Sequence, residues 1–332
     1  MDKQKISNII VIGASAGGIS AVSKLLSTLP HDIDAAIFIV IHLSKDANPL
    51  TVLSILNRHS NISVQIPENN APILKGKAYL APVNAHMMVK EGLITITRGA
   101  RENYWRPAID VLFRTAAAAY DSCVTGIILT GLLDDGTSGM IAIKEAGGKC
   151  IVQEPDEAEF ADMPTSVIRN IDVDYRVPLV DMGFILSDIY TREACEPGAV
   201  PEKVKKESEI TIRMASGYEQ TSTLGDATAL TCPDCGGVLT KITEHEHIRY
   251  RCFTGHVYTD HLLQQKYIER TEETLWVAVR MMEERRNFLL TNHASLGQSA
   301  AISEDQTTRA SELKIHIDTL KKMLEIVSKP ID

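Results

Sequence analysis

A serine flanked by small residues stands in Gly13-Ala14-Ser15-Ala16-Gly17-Gly18. Gly13, Ser15 and Gly17 fit the G-x-S-x-G spacing, in which small neighbours permit a sharp strand-to-helix turn and expose the hydroxyl as a nucleophile. A helix that begins at the serine brings free N–H groups to a developing oxyanion. Two other readings fit these residues. A dinucleotide-binding loop needs G-x-G-x-x-G, and Ser15 stands where its second glycine belongs. A plain tight turn with a surface serine needs nothing more. His42 ends a second apolar run, Ile39-Val40-Ile41. At that place it can take the serine proton. The third stretch, Thr130-Gly131-Leu132-Leu133-Asp134-Asp135-Gly136, leaves a later run and enters a helix. One of its aspartates can orient His42 by accepting the Nδ1–H, while the other caps the helix.

Further along, Cys232-x2-Cys235 and Cys252-x3-His256 are separated by sixteen residues. Each pair forms a tight knuckle, and three thiolates with one imidazole close a tetrahedral structural Zn²⁺ site. Such a site leaves no open position, so no catalytic cofactor is expected. The alternative is a coincidence of reduced cysteines. His245 and His247 read as an exposed hairpin turn.

The elements that must carry these groups alternate. Ile9 to Ile12 reads as a buried strand, Ile19 to Leu29 as a helix, Ala35 to Ile41 as a strand and Leu50 to Arg58 as a helix. A β-rich stretch covers Ala78 to Leu80, Met87 to Val89 and Leu93 to Ile96, and reads as an antiparallel excursion at one sheet edge. Helix Ala108 to Tyr120, strand Gly126 to Thr130, helix Ser138 to Ala146 and strand Cys150 to Gln153 complete the rhythm. The expected fold is α/β, a doubly wound, mostly parallel, Rossmann-like sheet in three layers. In such sheets sites form beyond the carboxyl ends of strands, where Ser15, His42 and Asp135 would all lie. Residues 193–229, with Pro197, Pro201 and a Lys203-Val204-Lys205-Lys206-Glu207 run, read as a linker with little structure. The expected order is a catalytic domain at 1–192, linker 193–229, zinc module 230–258 and an α-helical hairpin at 259–332. In the hairpin Leu275, Val279, Met282 and Leu289 share one face, and Leu313, Ile317, Leu320, Leu324 and Val327 another.

The 332 residues are 44% hydrophobic and 23% charged, as in a soluble globular protein. A formal net charge of −9 argues against a non-specific nucleic-acid binder. No apolar run reaches the ~20 residues of a membrane span, and the N-terminal text reads as a first strand rather than a signal peptide. Cys123, Cys150 and Cys195 read as reduced thiols, which together with the metal-like trio suits the cytoplasm.

Residues 8 to about 190 resemble the catalytic domain of CheB-type protein-glutamate methylesterases. The resemblance runs through Gly13 to Gly18, His42, Tyr79-Leu80-Ala81-Pro82 with His86, and Arg106-Pro107-Ala108-Ile109-Asp110-Val111-Leu112-Phe113. It continues through Ile128-Leu129-Thr130-Gly131, Asp135-Gly136 and Met163-Pro164. It implies a hydrolase acting on glutamate methyl esters of chemoreceptor helices, with glutamine deamidation as a second reaction. By motif it makes Ser15 the nucleophile, His42 the base and Asp135, rather than Asp134, the orienting acid. It puts the oxyanion hole at the backbone of Leu132 and of the Ser15 loop at Ala16, and gives Arg106 a role in positioning substrate or loop. The sequence departs from the family at Ile41, where glutamine is usual, at Ala16, often threonine, and at Leu132-Leu133, where methionine and glycine are usual. No receiver domain precedes the first strand here, so control by receiver phosphorylation in cis is not expected. The C-P-x-C-G-G…R-C-x-x-G-H element and its helices resemble the tail of stand-alone CheB-like proteins. Expected partners are a methylated chemoreceptor-like protein and a second copy through the helical tail; neither nucleic acid nor membrane insertion is expected. Two other classes remain open: a catalytically weak scaffold acting through the zinc-helix tail, and a nucleotide-binding regulator using the glycine loop.

Overall fold

The computed structural model describes residues 8–44, 47–192, 195, 198–213, 218–291 and 304–327. Ile9-Ile10-Val11-Ile12 opens strand β1 (Ile9–Ala14), every residue of which is buried. A strand apolar at consecutive positions has both faces covered, which is the signature of a central parallel strand. Helix α1 (Gly18–Thr28) follows, then β2 (Ala36–Ile41), equally buried. Helix α2 (Pro49–His59) starts where Asn48 Oδ1 accepts the Leu50 N–H at 2.9 Å and Pro49 occupies the first turn.

Short strands β3 (Val64–Gln65), β4 (Ala71–Pro72) and β5 (Ala78–Leu80) precede the hairpin β6 (His86–Lys90) and β7 (Leu93–Thr97). Next come α3 (Ile109–Tyr120), β8 (Val124–Ile128), α4 (Thr137–Glu145), β9 (Lys149–Gln153), α5 (Asp162–Asn170), β10 (Tyr175–Val177) and α6 (Leu179–Arg192). The main sheet runs β10-β9-β8-β1-β2-β5-β3, and all of its pairings are parallel. The β-rich stretch divides: β5 joins the parallel sheet, whereas β4, β7 and β6 make a separate three-stranded antiparallel sheet rather than an edge of the large one.

One face of the sheet buries Val11 and Phe38 against Leu112, Phe113 and Ala116 of α3. The other buries Ile10, Ile12 and Ile37 against Leu25 and Leu26 of α1. Each such Val, Ile, Leu or Phe side chain contributes roughly 1.5–3 kcal/mol on leaving water. The order of connection reverses at β1, with β2 on one side and β8 on the other. The crevice beyond the carboxyl ends of these strands is therefore the expected ligand site.

Three expectations are corrected. Cys123 and Cys195 form a disulfide with Cα atoms 5.5 Å apart, so of the scattered cysteines only Cys150 is a free thiol. They lie 72 residues apart in sequence, and only the fold brings them together. The stretch 193–229 is not simply a linker. It carries helix α7 (Glu202–Ile212), the turn α8 (Tyr218–Thr221) and the start of β11 (Asp226–Thr231). Val204 of α7 enters the main core and Glu207 is buried, which the local charge run conceals. Third, the Glu244–His247 text is not wholly an exposed turn. It joins β12 (Val238–Glu244) to β13 (His247–Cys252), and both Glu244 and His247 are buried.

With β14 (Val257–Thr259) these strands make an antiparallel sheet in the order β11-β12-β13-β14. This sheet belongs to the same compact unit as the parallel one, residues 1–260. Residues 261–332 form a second unit. There α9 (Asp260–Thr291) and α10 (Glu304–Val327) bury Val279, Ile317 and Leu324 with Leu275, Met282 and Leu320 packed around them.

Candidate active site

Residue Ala14 pairs with Ile41 across β1 and β2, and the His42 N–H donates to the Ala14 carbonyl at 3.0 Å. Ser15 and His42 therefore leave adjacent strands at the same level. The Ser15 N–H donates to the Thr130 carbonyl at 3.0 Å, which ties the serine loop to the segment after β8. Thr130 reinforces the tie, its Oγ1 donating to the Ala16 carbonyl at 3.0 Å while its own N–H donates to Gln153 Oε1 at 2.9 Å. The turn itself needs Gly17, which sits at φ 74°, beside Glu159.

His42 Nε2 lies 2.8 Å from Asp135 Oδ2, both groups almost fully shielded from solvent. The sequence reading had the acid facing Nδ1. The structure turns the ring over: Nε2 meets the acid, and Nδ1 is buried with no partner among the described residues. The Trp105 indole stacks on the imidazole with centroids 4.0 Å apart and planes 6° from parallel, which fixes the plane of the ring. Asp135 is 2% exposed, whereas Asp134 is half-buried and its carbonyl accepts the Thr137 N–H in the turn into α4.

The Asp135 carboxylate accepts on both oxygens. Ile109 N–H reaches Oδ2 at 2.8 Å, and Asn103 Nδ2 and the Asp110 N–H reach Oδ1 at 3.1 and 3.3 Å. Burial raises its pKa, but the hydrogen bond and charge of His42, with the Ile109 and Asn103 donors, more than offset this and hold it below the usual carboxylate range. Asp110 goes the other way: burial first, then the Asp135 charge, lift it well above that range. The two neighbouring carboxyls are thus pushed in opposite directions. Asn103 bridges them, donating to Asp110 Oδ2 at 2.8 Å as well. Asn103 and Tyr104 both adopt left-handed backbone, with φ 51° and 68°.

Leu132 is exposed, and neither its N–H nor that of Ala16 donates to any group among the described residues. Gly131 is the close-approach position: a Cβ there would overlap Met163 and come within 2.8 Å of Ser15 Cβ. Arg106 Nε and Nη2 bond Asn84 Oδ1 at 3.0 and 2.7 Å, and its Nη1 bonds the carbonyls of Arg98 and Gly99 at 3.1 and 2.8 Å. Its guanidinium thus ties together the loops at 84 and 98–99. Sequence reasoning missed Asn103 and Trp105. Their only signal was proximity to the Arg106-Pro107 element.

Away from the crevice, Cys232, Cys235, Cys252 and His256 converge, with all ligand atoms within 4.8 Å of one another. A tetrahedron with metal–sulfur bonds of about 2.3 Å and a metal–nitrogen bond of about 2.0 Å has edges of about 3.8 and 3.5 Å. Three of the six edges are 3.7 Å for Cys235–Cys252, 3.7 Å for Cys232–His256 and 3.6 Å for Cys252–His256, and the rest lie within 4.8 Å. The donor set fits a metal ion of that size.

Residues 10–186 match the CheB methylesterase family. A putative protein-glutamate methylesterase/protein-glutamine glutaminase of Leptospira interrogans is 42% identical over 171 residues, covering 51% of this chain and 88% of that protein. The similarly named protein 1 of Geobacter metallireducens is 36% identical over 178 residues, covering 52% of this chain and 48% of the relative. The crystal structure of the Thermotoga maritima CheB methylesterase catalytic domain superposes with a TM-score of 0.53 at 28% identity, covering 55% of this chain and 98% of that domain. With its parallel sheet, and Ser15, His42 and Asp135 following β1, β2 and β8, the chain belongs to the CheB methylesterase family.

Proposed function

We propose that this chain is a serine hydrolase that removes methyl esters from glutamate side chains of a chemoreceptor-like protein. The observation that supports the reading is the 2.8 Å bond between His42 Nε2 and Asp135, beside which Nδ1 has no partner among the described residues. Ser15 Oγ attacks the ester carbonyl and passes its proton to Nδ1. The carbonyl oxygen takes the negative charge and is met by the N–H groups of Ala16 and Leu132. The tetrahedral intermediate collapses, the imidazolium returns the proton to the leaving methoxide, and methanol departs. Water, deprotonated by the same nitrogen, then releases glutamate and restores the Ser15 hydroxyl. A glutamine amide follows the same path with ammonia leaving, so deamidation is a second reaction of the site. Arg106 holds the loops at 84 and 98–99 that flank the crevice.

The tail reading has two parts. Cys232, Cys235, Cys252 and His256 hold a structural zinc ion that staples the small sheet. The helices α9 and α10 keep Trp276, Met281, Phe288, Ile315 and Ile326 exposed, which favours association with a second copy or with the receptor. No helix of the described residues is long and apolar enough to cross a membrane. The reading places the enzyme in the cytoplasm by its family; the Cys123–Cys195 pairing weakens the cysteine argument for that compartment. The deciding assay is methanol release from methylated receptor by the chain and by Ser15→Ala. Release must depend on Ser15; release by Ser15→Ala at the parent rate overturns the assignment.

A further inference from the structure

The small sheet does not merely sit beside the parallel one. The Val257 carbonyl of its edge strand β14 accepts the Asn103 N–H at 2.9 Å, and the Val257 N–H donates to the Arg101 carbonyl at 3.3 Å. Glu102 and Val257 form a parallel bridge, so residues 101–103 are added to that sheet as a further short strand. Glu102, 2% exposed, is gripped from both sides: Arg251 Nη1 meets Oε1 at 2.9 Å, and Arg114 of α3 meets Oε2 at 3.2 Å. Glu207 of α7 closes the cluster through a two-pronged pair with Arg249 at 2.8 and 3.0 Å, and Arg249 also holds Glu244 at 2.9 Å. Three guanidiniums and three carboxylates therefore balance, with no large buried charge left over. Glu244 in turn accepts from Ser138 Oγ at 3.0 Å, three residues beyond Asp135.

The gripped segment is the one whose side chains meet the reacting groups: Asn103 donates to Asp135 and Trp105 stacks on His42. We propose that the Cys/His-closed sheet is a positioning clamp for catalysis, adding 101–103 to its edge so that Asn103 and Trp105 hold Asp135 and His42 in register. The clamp explains how two left-handed non-glycine residues in succession, Asn103 and Tyr104, persist. The backbone pairing on Val257 and the Glu102 ion pairs over-determine their conformation. Arg251, Glu102 and Val257 are thus positioning residues acting through the loop, not groups that touch the ester.

The inference rests on the methylesterase reading, and its test separates the two. The full chain carries two tryptophans, so Trp276→Phe leaves Trp105 as the sole emitter. In that background Arg251→Met keeps bulk but loses the ion pair, and Arg251→Lys restores the charge. Arg251→Met should raise acrylamide quenching of Trp105 and lower kcat on a small ester roughly 10- to 100-fold, the scale of an ångström-sized misplacement. KM should stay within about twofold, since the ester-binding surface is untouched. Arg251→Lys should recover part of both signals. Should Arg251→Met lose its metal and fold, Val257→Pro, which removes the single N–H given to Arg101, is the variant that decides. Parent-like kcat and quenching in a folded clamp variant would overturn the proposal. So would a loss carried by KM with quenching unchanged. If the parent hydrolyses no ester at all, the methylesterase reading fails while the quenching comparison still reports whether the sheet holds Trp105.

Discussion

Asp135→Asn isolates what the acid does, because the substitution keeps its shape. The carboxylate accepts four donors, two on each oxygen: His42 and Ile109 on Oδ2, Asn103 and Asp110 on Oδ1. An amide can replace only one oxygen. With its NH₂ at the Oδ1 side, it faces two donors and leaves both unpaired. With the NH₂ at the Oδ2 side, it forces His42 Nε2 to become the acceptor and puts the proton on Nδ1, the nitrogen proposed to take the Ser15 proton. Either way the developing imidazolium loses its counter-charge. At a charge separation of about 4 Å and an effective dielectric of about 20, that interaction is about 4 kcal/mol. Converted at about 1.4 kcal/mol per decade, the loss in kcat is about 10³-fold. KM should change little, and unpaired buried donors should lower stability by about 1–3 kcal/mol. The assay is kcat and KM on a small ester and on methylated receptor, run well below the variant's Tm, with Asp134→Asn alongside. Asp134, half-buried in the turn, should change kcat less than about threefold. A kcat within tenfold of the parent for Asp135→Asn, or equal losses for the two variants, would refute the role of the 2.8 Å bond.

Other outcomes follow from the same geometry. Gly131→Ala should destabilise by about 1–3 kcal/mol, because its Cβ comes within 2.8 Å of Ser15 Cβ and overlaps Met163; thermal unfolding and kcat together check this, and a neutral variant contradicts the close approach. Elemental analysis should find one zinc per chain, lost in Cys232→Ser, and a metal-free chain with an intact small sheet would remove the zinc reading. Glu102, Glu207 and Glu244 are all buried, which raises them, but the facing guanidiniums outweigh burial and hold each below its ordinary value. A folded-state pKa below the unfolded one gives stability that is present above about pH 4.3 and is lost as pH falls further. Urea midpoints should therefore decline on acidification below that value, and Glu207→Gln should flatten the decline.

The parallel sheet was legible because continuous apolar runs such as Ile9 to Ile12 and Ala36 to Ile41 admit few other uses. That Ser15, His42 and Asp135 lie together was legible because each follows such a run, so topology alone puts them at one edge. Which imidazole nitrogen meets the acid was not legible. It depends on how the imidazole is turned within a plane set by Trp105, a residue 63 positions away in sequence whose stacking no local pattern announces. The same holds for the small sheet. Its cysteine and histidine spacing was readable, but its docking rests on Arg251, Arg249 and Glu207, which in sequence look like solvated charges. A Lys203-to-Glu207 run reads as linker until Arg114 and Arg249 supply buried partners for its glutamate. The Cys123–Cys195 pair was hidden for the same reason, since spacing carries no information about pairing across 72 residues.

Covalent labelling tests most directly the proposal that Ser15 is the nucleophile activated by His42. Treatment of the full chain with a fluorophosphonate, followed by peptide mass spectrometry, should find one adduct, on Ser15. The adduct should be absent in Ser15→Ala and should form at least 100-fold more slowly in His42→Ala, on the scale of a lost general base. Adduct on another residue of the folded chain, or labelling of Ser15 at an unchanged rate in His42→Ala, would contradict it.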